Sequence, residues 1–319
     1  MTVVDVTRSQ DSGFEVLHFS NGVVAVDLVP ALGGKLSSLR DLRTGREWLW
    51  RSDQLPWRQL PYGTSYVEQA DTGGWDECFP TVAACRYPGQ NLELPDHGEV
   101  WSSAWETTVE PVADGVTVTT VAYGKQLTYR FTRVLTLKGG ADRLQLDYTV
   151  DEVGQDLDVI WSAHPLFRIE SGMSVALPDD AVLRVFSVDA GELPAEPLRW
   201  PFVLQGASGP VDLATLPGPE AGVAFKVWTE PLSEGWAELR ARDGRLRFSF
   251  DVAEVPQVGL WLNAGGWSGT GGEPYWNLAL EPCIGAQDSL QEAVEVHDFY
   301  RRIPAGSTAH WSLGVELQA

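Results

Sequence analysis

The chain carries little positive charge for its length. Its 319 residues include 23 Lys and Arg against 44 Asp and Glu, which gives a formal net charge of −21 at pH 7. A protein this negative repels the phosphates of nucleic acids and the anionic headgroups of membranes. We therefore expect neither nucleic acid nor a membrane as a partner.

Cysteine is scarce as well. The three cysteines are an odd number, so the sequence does not predict a disulfide framework. Cys78 and Cys85 lie close together along the chain but lack the paired ligand clusters of a zinc site. We therefore predict no structural metal.

Long apolar runs and leader-type segments are also missing. Residues 1–13 show no basic region followed by an apolar one, and no uncharged apolar stretch of about 18 residues occurs further along. We expect a cytoplasmic protein that is a monomer or a homodimer. Because 44% of the residues are hydrophobic, a sizeable core is possible, and we predict one domain over residues 1–319.

Helical periodicity is nearly absent, and strand patterns take its place. Short runs of alternating apolar and polar residues follow one another along the chain, separated by turn signals such as Asp114-Gly115 and Asp243-Gly244. This succession is typical of hairpins and meanders. It predicts an all-β fold of antiparallel sheets with very little helix.

Two segments depart from the strand pattern. Residues 288–294 contain a helix start, with Asp288 or Ser289 as the capping residue, and are long enough for two turns at most. Residues 193–222 are rich in proline and glycine, and we expect them to form a long surface loop or a lid over a site.

Three titratable residues interrupt or end apolar strand-like runs: His97 in residues 94–101, His164 in 161–169 and Glu281 in 276–290. A titratable group in such a run is costly unless it is paired or used. Since Pro282 ends regular strand pairing in this interpretation, we expect Glu281 at a strand end that faces a cavity. There its carboxylate is a candidate general base.

Each of these residues also has an ordinary structural explanation. His164 could be a strand-end residue bonded to backbone, His97 a turn residue in an exposed loop, and Glu281 a carboxylate paired with an arginine. The residues by themselves leave both explanations open.

Taken in order, the motifs resemble those of the galactose mutarotase-like proteins, namely the aldose 1-epimerases and their hexose-6-phosphate mutarotase relatives. The resemblance spans nearly the whole chain: GGKLSSLRD (33–41), GGWDECFP (73–80), the His97-Gly98 and His164-Pro165 segments, and a late strand that reaches Glu281-Pro282. It implies a β-supersandwich with an open sugar-binding face. It also implies an isomerase that interconverts the α and β anomers of a free sugar without cofactor or metal.

That reaction needs a base for the C1 hydroxyl proton and an acid for the ring oxygen O5. The resemblance implies that Glu281 is the base, that His164 is the acid, and that His97 is a second imidazole near O5. Imidazole suits the acid role because its ordinary pKa of about 6.5 is close to neutral pH.

Aromatic and acidic residues near the motifs are candidates for sugar binding. A flat ring can pack on the CH face of a sugar, and Trp75, Trp101 and Trp267 lie in glycine-rich or loop contexts. Asp76 and Glu77 offer acceptors for sugar hydroxyls, although a solvated acidic turn is the competing interpretation.

One departure from the family pattern bears on the substrate. Many relatives place an arginine just before the GG…FP segment, whereas this chain has EQADT at 68–72. Together with the acidic residues nearby, this favours a neutral sugar over a phosphorylated one. Two alternatives remain: a non-catalytic carbohydrate-binding domain of the same fold, and another sugar epimerase or glycoside-active enzyme that uses the same residues.

Overall fold

The computed structural model describes residues 4–188, 196–206, 209–212, 214–269, 272–285 and 287–319. Strands account for about 50% of the chain and helices for about 5%, which confirms the all-β prediction. Within the described residues, none of the helices has the length and apolar character needed to span a membrane.

The first half of the chain contains one helical turn, α1 (Tyr66–Gln69), and twelve strands. The strands are β1 (Asp5–Asp11), β2 (Phe14–Ser20), β3 (Val24–Val29), β4 (Lys35–Asp41), β5 (Arg46–Glu47), β6 (Trp75–Cys78), β7 (Cys85–Arg86), β8 (Glu93–Leu94), β9 (Glu106–Val112), β10 (Gly115–Tyr123), β11 (Arg130–Lys138) and β12 (Arg143–Asp151).

The second half continues the strand series and adds three short helical turns. Its strands are β13 (Leu157–Val159), β14 (Trp161–Arg168), β15 (Ser174–Ala176), β16 (Val182–Val188), β17 (Leu198–Arg199), β18 (Val203–Gly206), β19 (Gly209–Asp212), β20 (Val223–Thr229), β21 (Trp236–Ala241), β22 (Gly244–Ser249), β23 (Gln257–Ala264), β24 (Trp276–Ile284), β25 (Arg301–Ile303) and β26 (Ala309–Gln318). The helical turns are a 3₁₀ turn at Pro219–Ala221, α2 (Leu290–Glu292) and a π-helical turn at Ala293–His297.

Two large antiparallel sheets form the body of the fold. The larger sheet has twelve strands in the order β1-β2-β3-β4-β6-β14-β24-β23-β20-β16-β17, with β5 paired to β4. The smaller sheet has eight strands in the order β15-β21-β22-β26-β12-β11-β10-β9. Three two-stranded ribbons complete the described topology: β13-β25, β18-β19 and β7-β8.

The two sheets differ in how their faces are buried. Strands β10 and β11 alternate between buried and partly exposed residues, as expected for a sheet with one solvated face. The central strands β14 and β20 of the larger sheet are buried almost throughout. One face of the larger sheet packs on the core, and its other face must therefore be covered by loops.

Aromatic side chains fill the space between the sheets. Trp75 of β6 meets Phe248 of β22 at 5.6 Å between ring centroids, and Trp161 of β14 meets Tyr148 of β12 at 4.8 Å. These edge-to-face and tilted contacts are favourable ring geometries, and they bury large apolar areas. The core therefore lies between the facing sheets of a sandwich.

The local turn predictions are confirmed. Asp114-Gly115 joins β9 to β10 and Asp243-Gly244 joins β21 to β22, both in antiparallel pairs. The Ser289 hydroxyl accepts a hydrogen bond from the Glu292 backbone N–H, so Ser289 is the predicted cap. Helix α1 was not predicted.

Two predictions about irregular segments are corrected. Residues 193–222 are not one long loop, since they include β17, β18, β19 and a 3₁₀ turn; residues 193–195, 207–208 and 213 lie outside the described part. Strand β24 does not end at Pro282 but remains paired with β23 through Cys283. Instead, the β14–β24 ladder is interrupted near Pro165 and Pro282, because proline has no N–H to donate.

Candidate active site

A cavity of about 250 Å³ lies over the loop-covered face of the larger sheet. Aromatic and polar side chains provide most of its wall. The aromatic residues are Tyr66, Trp261, Trp267 and Tyr275, and the polar ones are Thr72, His97, His164, Ser187, Lys226, Asn277 and Asp288.

Strand register brings His164 and Glu281 together. Ser162 pairs with Cys283 and Leu166 with Ala279, so His164 falls opposite Glu281 on the neighbouring strand. His164 Nε2 lies 3.9 Å from Glu281 Oε1. The two residues are 117 positions apart in sequence, and only the antiparallel pairing of β14 with β24 makes them neighbours.

Glu281 lies beneath the cavity wall and has no exposed surface. Lys226 Nζ donates to both carboxylate oxygens, at 2.7 and 2.6 Å, and the Ser162 hydroxyl donates to Oε2 at 3.2 Å. Burial raises the pKa of Glu281, and Lys226 opposes only part of that effect. The sequence predicted Glu281 at a strand end that faces a cavity. In the structure its carboxylate instead lies behind Lys226 and His164.

Lys226 is the charged group that stands between Glu281 and the cavity. Burial by itself would lower the pKa of Lys226, but Glu281 and Asp288 outweigh it and raise that pKa, so the ammonium keeps its charge. Nζ also lies 4.4 Å from the ring centroid of Trp228. A Cβ at Gly259 would come within 2.4 Å of that ring, so the missing side chain leaves room for Trp228.

His164 is buried at 7% exposure, and its Nδ1 has no hydrogen-bond partner. Burial, together with the nearby positive groups His97, Lys226 and Lys35, lowers the pKa of His164 well below its usual range. The ring is therefore neutral near pH 7. This direction conflicts with the expectation from resemblance that His164 is the acid, because a neutral imidazole accepts a proton more readily than it gives one.

His97 occupies the cavity wall in a left-handed conformation, with φ of 60°. Its N–H donates to the Val82 carbonyl at 2.6 Å, which fixes the backbone. Nδ1 lies 2.8 Å from Asp96 Oδ1, and the ring stacks on Tyr66 with centroids 4.0 Å apart. The backbone conformation and these contacts hold the His97 ring in one position on the cavity wall.

Asp96 connects His97 to helix α1. Its Oδ2 accepts the backbone N–H groups of Tyr66 and Val67, at 2.8 and 3.2 Å, and the Ser65 hydroxyl at 3.2 Å. Burial would raise the pKa of Asp96, but the bond from His97 and these donors hold that pKa below its usual value. The carboxylate beside His97 is therefore ionised.

A buried polar cluster lies behind Tyr66. Lys35 Nζ donates to Asp76 at 2.7 Å and to Asp71 at 3.3 Å, and the Tyr66 hydroxyl donates to Asp76 at 2.8 Å. Asp76 and Trp101 border a void of about 10 Å³ on this side rather than the main cavity. These two predicted sugar contacts thus support Tyr66 from behind.

Strand alternation sends two other predicted sugar contacts into the core. Asp76 and Cys78 share one face of β6, so Trp75 and Glu77 point to the opposite face. Trp75 packs on Phe248, and Glu77 accepts bonds from Arg133, Tyr148 and Trp161, at 3.1, 2.9 and 2.9 Å. Both have no exposed surface, so neither belongs to the cavity.

Trp267 is the predicted tryptophan that does lie on the cavity wall. Its ring meets Trp261 at 5.7 Å and Tyr275 at 5.7 Å, both nearly perpendicular. Its backbone carbonyl accepts from Asn263 at 2.8 Å. Together these three aromatic residues form an apolar wall across from the imidazoles of the site.

Several buried polar atoms around the cavity have no partner in the described structure. They belong to five wall residues: Thr72 Oγ1, His164 Nδ1, Tyr275 Oη, Asn277 Oδ1 and Asp288 Oδ1. Leaving such groups unpaired costs about 1–3 kcal/mol each. Each of these atoms has almost no accessible surface, so they lie just behind the surface of the cavity.

Lys226, the residue that contacts Glu281 most closely, was not predicted from the sequence. A usable signal was present, since Lys226 interrupts the apolar run VAFKVWT in the same way that His164 interrupts its own strand. Tyr66 gave no comparable signal, because its segment (residues 64–70) shows no helical pattern and its role depends on contacts with distant residues.

The comparisons with known proteins agree on the fold. No protein-family model matches the sequence, and no curated protein sequence matches it. Among solved structures, the chain is similar to galactose 1-epimerase from Lactobacillus acidophilus NCFM, at 10% identity and a TM-score of 0.64, covering 99% of this chain and 98% of that one.

Two further structures give the same result. A galactose mutarotase-like protein from Clostridium acetobutylicum matches at 12% identity and a TM-score of 0.65, over 99% of this chain and 98% of that one. The Slr1438 protein from Synechocystis sp. PCC 6803 matches at 15% identity and a TM-score of 0.65, over 98% and 96%. The chain has the galactose mutarotase-like fold, which the sequence had predicted.

Proposed function

We propose that the protein is an aldose 1-epimerase-type isomerase that interconverts the α and β anomers of a neutral free sugar. The observation that carries this proposal is the cavity of about 250 Å³ whose wall holds two imidazoles, His97 and His164, with ring centroids 5.0 Å apart. Sugar hydroxyls can both donate and accept, so they fit a wall that mixes polar and aromatic side chains. The names of the similar structures support the same reaction.

The acid in this proposal is His97. Asp96 accepts a bond from Nδ1 at 2.8 Å, and an ionised carboxylate there stabilises the imidazolium form. The other ring nitrogen then carries the proton given to the ring oxygen O5. This modifies the role implied by the resemblance, in which His97 only bound the O5 region.

The base is His164, with Glu281 behind it. A neutral ring accepts the proton of the C1 hydroxyl, and Glu281, whose Oε1 is 3.9 Å from Nε2, stabilises the imidazolium that forms. Two imidazoles whose surroundings differ in charge make a matched acid and base. Glu281 is then a positioning and charge-stabilising residue rather than the direct base.

The proton steps balance over one cycle. His164 takes the C1 hydroxyl proton while His97 protonates O5, the C1–O5 bond breaks, and an open aldehyde forms. Rotation about the C1–C2 bond presents the other face of the aldehyde. Closure returns the proton from His164 to O1, and His97 recovers its proton from O5.

The charge at the site favours a neutral sugar. Lys226 is matched by both oxygens of Glu281, and Asp288 Oδ1 lies 3.8 Å from Nζ, so the Lys226 ammonium, the lysine that lines the described cavity, is not left free to bind a phosphate. The acidic residues that seemed to repel anions are themselves paired: Asp71 and Asp76 with Lys35, and Glu77 with Arg133. The preference for a neutral sugar therefore follows from the matched charge of Lys226 rather than from repulsion by those acidic residues.

One observation favours a second candidate, a non-catalytic carbohydrate-binding domain. Lys226 holds both oxygens of Glu281, which is also how a purely structural ion pair would look. Such a domain would bind sugar in the same cavity without turnover.

The deciding experiment is anomer exchange, measured by NMR on a panel of free aldoses. The isomerase proposal expects exchange well above the spontaneous rate for at least one neutral sugar and none for its 6-phosphate. If calorimetry detects sugar binding but the anomers exchange only at the spontaneous rate, the isomerase proposal is refuted and the binding domain is supported.

A further inference from the structure

The fold brings three metal-ligating side chains together at one edge of the cavity. One atom each from Cys78, His97 and His164 lies within 4.8 Å of the other two, and all three residues are buried. They come from β6, from the loop after β8 and from β14. Cys78 and His164 lie on adjacent strands, since Ser162 pairs with Cys78 and His164 with Asp76.

The donor set is characteristic of a particular ion class. One thiolate and two imidazoles are the ligands that Zn²⁺ prefers, and a site with three protein ligands leaves a fourth position open. Two of the three ligands, His97 and His164, line the cavity. A tetrahedral ion needs donor atoms roughly 3.5 Å apart, so the side chains would have to close by on the order of 1 Å.

One further contact prepares an imidazole for a metal. Asp96 Oδ1 holds His97 Nδ1 at 2.8 Å, the carboxylate–histidine arrangement that orients metal-binding rings and leaves the other nitrogen free. His164 is 7% exposed and has an Nδ1 without a partner. The contact between His97 and Asp96 does not involve Cys78, so it is independent of the thiol.

We propose that Cys78, His97 and His164 form a binding site for Zn²⁺, and that the bound ion inhibits the anomerase reaction. Binding releases two protons to solvent, one from the Cys78 thiol and one from the His97 ring nitrogen that does not contact Asp96, and the resulting thiolate and two neutral imidazole nitrogens each give a lone pair to the ion. With both lone pairs occupied, His97 cannot deliver a proton and His164 cannot accept one. The inhibitory part of the inference rests on the proposed function, whereas the binding part does not.

Co²⁺ is the probe that tests binding, because a thiolate ligand gives it a charge-transfer absorption that a serine cannot give. Chelator-treated protein, kept reduced, is titrated with Co²⁺ and then with Zn²⁺. We expect a near-ultraviolet thiolate band with tetrahedral visible bands, both removed by Zn²⁺. Cys78→Ser should lose the thiolate band and bind Co²⁺ at least about 100-fold more weakly.

Cys283→Ser is the matched control, because Cys283 is an equally buried thiol in the same sheet, opposite Ser162 on the next strand. It should keep the full Co²⁺ spectrum. Near-ultraviolet circular dichroism of both variants checks folding. Absence of a thiolate band in the wild type, or an unchanged band in Cys78→Ser, would overturn the site.

Activity separates the two proposals. Zn²⁺ should abolish anomer exchange in the wild type and in Cys283→Ser, whose metal-free rate should equal that of the wild type, but should leave most of the metal-free rate of Cys78→Ser. A Co²⁺ spectrum without any anomer exchange would keep the metal site and refute the function. Anomer exchange that persists at saturating Zn²⁺ would refute inhibition.

Discussion

His97 stacks on Tyr66 with ring centroids 4.0 Å apart and planes 18° from parallel. Tyr66 is itself held by its hydroxyl, which donates to Asp76, and by its backbone N–H, which donates to Asp96. The imidazole is therefore packed on one side and hydrogen-bonded on another. A ring fixed in this way can transfer a proton to one position in the cavity, which is what an acid in a ring-opening step requires.

The first prediction concerns Asp96. Asp96→Asn keeps a side-chain oxygen for the N–H groups of helix α1 but removes the charge that stabilises protonated His97. Turnover should fall by at least about tenfold with little change in sugar affinity. Polarimetry of a freshly dissolved pure anomer measures the rate. Ser65→Ala removes another Asp96 contact and should leave the rate near that of the wild type; equal rates in Asp96→Asn and the wild type would contradict the acid assignment.

The second prediction concerns His164 and Glu281 as a unit. His164→Asn should lower turnover on the order of 10²–10⁴-fold while binding persists. Glu281→Gln is best made together with Lys226→Met, so that no buried ammonium is left unpaired. If Glu281 acts through His164, adding these changes to His164→Asn should cost little more. A further loss as large as in the wild-type background would instead indicate that Glu281 is the direct base.

The third prediction concerns the pH dependence of stability through Glu77. Burial raises the pKa of Glu77 to about 7, against partial opposition from Arg133, so the folded protein favours the protonated form. The associated stability is fully present below about pH 4.5 and is lost as the pH rises through 7, by at most about 1.4 kcal/mol per pH unit.

Urea unfolding at pH 5 and at pH 8 checks this. Relative to Glu77→Gln, the wild type should lose free energy of unfolding between the two values, because the other titrating groups are common to both proteins. Parallel pH profiles would show that Glu77 does not titrate in this window.

The fourth prediction concerns Trp267. Removing its ring with Trp267→Ala should weaken sugar binding about 3- to 10-fold, since it takes away one apolar surface of the cavity wall. Trp75→Phe is the contrast: it should lower the melting temperature, because Trp75 is fully buried, and leave the dissociation constant unchanged. Calorimetry with the sugar identified by the exchange panel measures both. A Trp75→Phe variant with altered sugar affinity and normal stability would contradict the assignment of Trp75 to the core.

The fifth prediction concerns chelation. Anomer exchange should survive exhaustive treatment with a chelator, because acid and base are both side chains of the protein. If the preparation carries Zn²⁺, the rate should rise rather than fall. Loss of activity that one added cation restores would contradict the proposed mechanism.

The sequence was sufficient for the fold and for part of the site. Alternating runs and Asp-Gly turns determine hairpins locally, so β9–β10 and β21–β22 were predicted correctly. His97 and His164 were found because a titratable group in an apolar run stands out, and the structure places both on the cavity wall. Their catalytic roles remain proposals.

The features that could not be predicted from the sequence depend on strand register and on contacts between residues far apart in the chain. Period-two alternation within β6 would have assigned Trp75 and Glu77 to the face opposite Asp76, but only the sheet order shows which face is the core. The covering of Glu281 by Lys226 depends on β20, two strands away from β24. The local sequence does not indicate how far apart these two strands lie in the sheet.

Gly259 influences the geometry of the site although it has no side chain that takes part in the chemistry. It pairs with both Trp228 and Glu281 across the sheet, and a methyl group there would displace the indole over which the Lys226 ammonium lies. A single added carbon would therefore loosen or redirect the Lys226–Glu281 ion pair from a position that does not itself line the cavity. Substitutions at Gly259 would change the electrostatics of the cavity without replacing any residue of its wall.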